Sequence, residues 1–247
     1  MNGWNELLAC AVCLAVGIVC GIGLALAQPG LLRRVGKKFG LPDGNQHWFY
    51  EQTVAFHRRM DGCVPDKAVL FIGDSFIQGL CVTEVAPNGI NYGIGGDTTE
   101  GLLARLPYYE SRNRACAVVV SIGENDLRKG RTQKEISVSC QQIVTQLPGK
   151  ISVFFCSLTP CTKSTAGSLN DAALNLNPVL QQVCASRPNC HFVNLNEALC
   201  GSDGFLLAQY ADSDGWHLNA RGNRVSIEKL RAALREFAPQ VELAAAN

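Results

Sequence analysis

The sequence predicts an α/β protein of three layers, with a five-stranded parallel sheet between two layers of helices, and three observations carry that reading. Five short apolar runs, at 68–72, 90–92, 117–122, 151–156 and 191–195, have the length and composition of strands. Stretches with helical spacing separate them, near 98–110, 132–147, 170–186 and 219–237. The runs do not alternate apolar with polar residues, as expected of strands covered on both faces. In such sheets ligands bind at the carboxyl ends of the strands, so the loops that follow each run are where chemistry is expected.

Taken in order, the chain opens on an uncharged segment. Residues 7–27 read LLACAVCLAVGIVCGIGLALA, 21 residues without a charge. As a helix they would span about 30 Å, the thickness of a bilayer core. A single-pass membrane anchor over 1–30 is the expectation. A cleaved secretory signal ending at Ala25-Leu26-Ala27 and a buried core helix are the competing readings. No Lys or Arg precedes Leu7, and a helix without a polar face is unusual in a soluble core. Arg33, Arg34, Lys37 and Lys38 follow the segment, and the excess of basic residues on that side leans toward a cytoplasmic location for the rest of the chain.

Residues 31–64 read as a juxtamembrane linker and a leading helix. Within 46–60, Trp48, Phe49, Thr53, Phe56 and Met60 recur at roughly helical spacing. A single compact domain is expected over 65–240. A net charge of +1 with 17% charged residues leaves no basic face for a nucleic acid. Nine of the 12 cysteines lie in the domain, an odd number with no C-x-x-C pair, so neither a zinc site of the usual spacing nor a disulfide framework is indicated.

Four short blocks hold the residues with chemical potential. The first run leads directly into Gly73-Asp74-Ser75, which exposes a hydroxyl at a helix start; a simple helix cap is the bland alternative. The second ends in Asn91-Tyr92-Gly93-Ile94-Gly95-Gly96-Asp97-Thr98, a glycine loop through which backbone can approach a substrate. It is not a dinucleotide loop, because Thr98 stands where the third glycine belongs. The third ends in Gly123-Glu124-Asn125-Asp126, where the Asn125 amide can donate to an oxyanion or simply make a turn. Near the C-terminus, Asp214 and His217 are three apart, so the carboxylate can fold back on Nδ1 and leave Nε2 as a base. His47, His57 and His191 have no such neighbour and read as structural. Trp216 and Tyr92 are candidates either to line a pocket or to pack.

In this order, the blocks G-D-S, the glycine loop, G-x-N-D and D-x-x-H closely resemble those of the SGNH (GDSL-type) hydrolases, over roughly residues 65–237. The resemblance implies a flavodoxin-like α/β/α fold and a serine esterase that needs no metal or organic cofactor. Carried over, it makes Ser75 the nucleophile, His217 the general base and then acid, and Asp214 the residue that orients it. The oxyanion hole would be the N–H groups of Ser75 and Gly96 with the side chain of Asn125. Glu124 fills the variable place of G-x-N-D and is expected to point away from the oxyanion. The substrate would be a small-molecule carboxylic ester, with small acyl groups favoured by short inter-block loops. An O-acyltransferase with the same triad, or a non-catalytic binding module on a flavodoxin-like sheet, are the alternative readings.

Overall fold

A computed structural model describes residues 44–165 and 167–243. The segment 7–27 and its anchor reading lie outside them, and no helix among the described residues is long and apolar enough to cross a membrane. The chain divides into a unit Met1–Glu51 and a compact unit Gln52–Asn247 that carries the sheet.

The leading helix is α1 (Gly44–Asp61), followed by β1 (Val69–Gly73), α2 (Ser75–Gln78), β2 (Gly89–Gly93), α3 (Thr99–Arg105), β3 (Ala117–Ser121) and α4 (Glu124–Arg128). Then come α5 (Gln133–Gln146), β4 (Ser152–Cys156), α6 (Ser168–Ala185), β5 (Cys190–Val193), α7 (Asn196–Leu199) and α8 (Ala220–Phe237). The five strands are parallel in the order β2-β1-β3-β4-β5. Each coincides with an apolar run of the sequence to within one or two residues. The helix expected near 98–110 ends at Arg105 and continues as 3-10 turns, Leu106–Tyr108 and Glu110–Asn113. Pro107 has no N–H to extend the α-helical ladder.

Alternate residues of the strands feed two cores. Leu70, Ile72, Val118, Val120, Val153 and Phe155 pack against α3, α5 and α6 through Leu102, Ile136, Ile143, Leu176 and Leu180. On the opposite face Val69, Phe71, Ala117, Val119 and Phe154 meet Ile77 of α2 and Ile227, Leu230 and Leu234 of α8. The free thiols Cys140, Cys156, Cys161, Cys184 and Cys190 are buried and pack as small apolar groups. In α1 the apolar positions that marked the helix, Trp48, Phe49, Phe56 and Met60, are exposed. Its buried residues are Val54, His57 and Asp61, with Asp61 accepting from the Tyr92 hydroxyl and the Ser111 amide.

One side chain ties the catalytic edge of the sheet together. Arg105, fully buried, donates from Nε to Asp97 Oδ2 at 2.8 Å and from Nη2 to the Gly73 carbonyl at 2.8 Å. Its Nη1 reaches the Tyr92 carbonyl at 2.7 Å and the Tyr109 hydroxyl at 2.9 Å. It thereby ties together carbonyls at the ends of β1 and β2, where Gly73 is in register with Gly93. Replacing Arg105 with Met should destabilise the fold by about 3–5 kcal/mol, because the Asp97 charge is left buried and unpaired. Urea unfolding measures it, and a loss below about 1 kcal/mol, the worth of a surface pair, would contradict this role.

Candidate active site

The site begins where β1 stops. Gly73 has φ of +158°, and a Cβ there would lie 1.9 Å from the Ser121 carbonyl oxygen of β3, so no side chain fits. The Asp74 N–H bonds that same carbonyl at 3.1 Å. Asp74 then caps α2 by accepting from the Phe76 N–H at 3.0 Å, which makes Ser75 the first residue of the helix. Asn91 latches this short helix to β2: its amide donates to the carbonyls of Ile77 and Leu80, while its oxygen accepts from the Gly93 N–H.

From 142 residues further along the chain, the loop before α8 delivers the second half. His217 Nε2 lies 2.9 Å from Ser75 Oγ, and His217 Nδ1 lies 2.5 Å from Asp214 Oδ2. The other carboxylate oxygen accepts from the N–H groups of Trp216 and His217, at 2.8 and 2.9 Å. Partial burial opposes the Asp214 charge, but the ring and two backbone donors outweigh it and hold the carboxyl down to about 2. Asp214 is therefore ionised at neutral pH, which keeps the proton of a neutral imidazole on Nδ1 and leaves Nε2 as acceptor toward the hydroxyl.

The loop itself is held by a glycine and a cap. Gly215 has φ of +69°, and its carbonyl accepts from the Thr162 N–H at 2.9 Å. Asn219 caps α8 through the N–H groups of Arg221 and Gly222, and its amide donates to the Gln209 and Ala211 carbonyls. The site is shallow, with 39% of the His217 side chain and 49% of Asp214 exposed. The Phe76 ring lies 5.6 Å from the imidazole, and the Arg128 guanidinium covers Trp216 at 5.2 Å.

Gly96 lies in the loop that leaves β2 and Asn125 in the first turn of α4, just after β3; β2 and β3 are the two strands flanking β1. Gly96 takes φ of +78°, and the half-buried Asn125 side chain makes no hydrogen bond to any described residue. Asp126, next to it, is buried and accepts from the N–H and hydroxyl of Thr99 and from Arg131, tying α4 to the start of α3. Glu124 turns into the protein interior and accepts from the Thr159 N–H. Tyr92 does not line the site. It belongs to the opposite, helix-covered face of the sheet, stacked on Tyr109 at 4.3 Å with its hydroxyl on Asp61. His57 bonds the Tyr109 hydroxyl, His191 stacks on Phe237, and His47 pairs with Glu51 on the surface.

With serine, imidazole and carboxylate in one hydrogen-bonded chain at the edge of a parallel sheet, the family comparison becomes decisive. The model of the GDSL-like lipase/acylhydrolase family matches residues 71–225. The chain belongs to that family. It is a serine hydrolase acting on ester bonds. Among curated proteins it is 28% identical over 181 residues to the alpha1 subunit of bovine platelet-activating factor acetylhydrolase IB, covering 68% of this chain and 76% of that one. The alpha2 subunit from Gallus gallus is 29% identical over 176 residues, covering 66% and 73%. Two solved structures share the fold. One is a Streptococcus pneumonia protein provisionally named as a platelet activating factor, with a TM-score of 0.72, 20% identity and coverage of 84% and 100%. The other is the acetylxylan esterase Axe2 of Geobacillus stearothermophilus, with a TM-score of 0.57, 17% identity and coverage of 73% and 97%.

A Cβ on Gly215 would lie 2.1 Å from Thr165 Oγ1 at a backbone angle few side chains adopt. Gly215→Ala should therefore displace the Asp214–His217 loop and lower esterase kcat by about 100-fold, as an ångström-scale misplacement does. Circular dichroism and steady-state kinetics on the same sample test it; unchanged kcat in a folded variant would refute the role given to this turn.

Proposed function

We propose that this enzyme hydrolyses carboxylic esters with small acyl groups through an acyl-enzyme on Ser75. The observation that carries the proposal is the continuous chain from Ser75 Oγ to His217 Nε2 at 2.9 Å and from His217 Nδ1 to Asp214 Oδ2 at 2.5 Å. His217 takes the serine proton as Oγ attacks the carbonyl carbon, and Asp214 stabilises the imidazolium that forms. The tetrahedral oxyanion rests on the N–H groups of Ser75 and Gly96 and on the Asn125 amide. His217 then protonates the leaving alcohol, and water activated by the same ring releases the acid.

Support for a small acyl group comes from the exposed, shallow imidazole and from the names of similar proteins, an acetylhydrolase subunit and an acetylxylan esterase. The same proposal covers location. The uncharged segment 7–27 would hold the enzyme at a bilayer, and the basic residues after it would put the catalytic unit on the cytoplasmic side. Carbonate extraction of membranes carrying the full chain, followed by protease protection, tests anchor and side together.

Ser75→Ala should abolish turnover of p-nitrophenyl acetate with the fold intact, and a variant that keeps full activity sinks the assignment. Asn125→Ala should lower kcat by about 10²–10³-fold with little change in KM, the loss typical of one oxyanion donor. Supplying an alcohol acceptor and weighing free acid against acylated acceptor separates hydrolysis from acyl transfer; mainly acylated product would overturn hydrolysis.

A further inference from the structure

Two carboxyl groups that the triad does not use lie behind it. Asp74 is fully buried and precedes Ser75; Glu124, 3% exposed, precedes Asn125. Each uses one oxygen on a backbone amide: Asp74 Oδ1 accepts from Phe76, and Glu124 Oε1 from Thr159 after β4. Their remaining oxygens, Asp74 Oδ2 and Glu124 Oε2, are buried with no hydrogen-bond donor among the described residues, and the two acids follow neighbouring strands, β1 and β3, close enough to interact. A carboxylate can only accept, so a hydrogen bond between two carboxyls requires a proton on one of them.

We propose that Asp74 and Glu124 share one proton and act as a positioning pair, clamping the start of α2 to the start of α4 so that Ser75 and Asn125 face the same substrate carbonyl. The proposal rests on the roles given above to Ser75 and Asn125. The charged and titratable groups around the pair are Asp97 after β2, Asp126 on α4, Cys140 on α5, Cys156 on β4, and Arg105 on the neighbouring Gly73 carbonyl. Burial raises both carboxyls above the ordinary carboxylate range, Asp74 further by the Glu124 charge, and burial with those two acids pushes the Cys156 thiol up to about 12. The folded chain thus keeps a proton that an unfolded chain releases near pH 4. The sign follows: stability and clamp are intact in acid and lost as pH rises through the folded value, when two adjacent buried carboxylates repel.

Amide substitutions separate this pair from a merely structural contact. In Glu124→Gln the amide oxygen keeps Thr159 and the NH₂ donates to Asp74; Asp74→Asn does the reverse. Wild type should show a fall in kcat at alkaline pH, and each single variant should remain active at neutral pH and lose that fall. In the double variant two NH₂ groups face each other, and kcat should drop by about 100-fold with KM nearly unchanged. Single variants that keep the wild-type alkaline fall, or a double variant no worse than the product of the singles, would overturn the proposal. Infrared spectra of the full-length protein give a readout independent of turnover. A protonated-carboxyl stretch should be present in wild type and in Ser75→Ala at neutral pH, and absent in Glu124→Gln. If wild type lacks that band while Ser75→Ala is inactive, the shared proton is refuted and the triad stands. If the band is present but Ser75→Ala stays fully active, the triad reading fails, and with it the purpose assigned to the clamp.

Discussion

The buried Arg105 guanidinium is the constraint on which the rest of the site depends. A parallel sheet ends with carbonyls that have no strand partner beyond them, and an interior offers no water to satisfy them. Arg105 donates to two carbonyls at this edge at once, that of Tyr92 and that of Gly73, which also accepts from the Ile94 N–H, and balances its own charge with Asp97. Planar guanidinium geometry fixes the relative position of the groups it binds, which an ammonium would not do. The ends of β1 and β2 are thereby locked together, and with them the points from which the serine and glycine loops depart.

Around that lock the scaffold is electrostatic as much as apolar. Asp126 joins α4 to α3 through Thr99, Asn91 joins α2 to β2, and the proposed Asp74–Glu124 pair joins α2 to α4. Each link joins segments that belong to or follow different strands. Each limits where Ser75 and Asn125 can stand. Preorganisation of this kind matters because oxyanion donors work only when they need no rearrangement as charge develops.

Environment gives chemically identical side chains opposite states. Asp214 is half exposed, accepts from three N–H donors and stays ionised. Asp74 has one backbone donor, no solvent and a second acid beside it, so its charge is disfavoured. A carboxylate that must stabilise an imidazolium belongs at the wet rim, and a carboxyl that must donate a hydrogen bond belongs in the dry interior.

The five strands were legible because each is a short, mainly apolar run, and the four chemical blocks because three sit where a run stops and the fourth just before the last helix. Ser75, His217 and Asp214 could be singled out as candidates from those blocks, and the roles proposed for them come from the family resemblance that the blocks carry together. Arg105, Asp97, Asp61 and the meaning of Asp126 could not, since a buried charge leaves no mark in the chain until its partners arrive from elsewhere. The helices α4 and α7 escaped notice because four or five residues barely complete one turn and show no period. Tyr92 was ambiguous for a related reason: an aromatic residue at a strand end faces either the site or the helices, and only sheet register decides which. Residue types and their order were thus sufficient to determine what chemistry this chain can do, because hydroxyl, imidazole and carboxylate carry it intrinsically. Tertiary structure alone decided which carboxyls are charged, which face solvent and which hold the loops, because those properties belong to distances and dielectric surroundings rather than to any one residue.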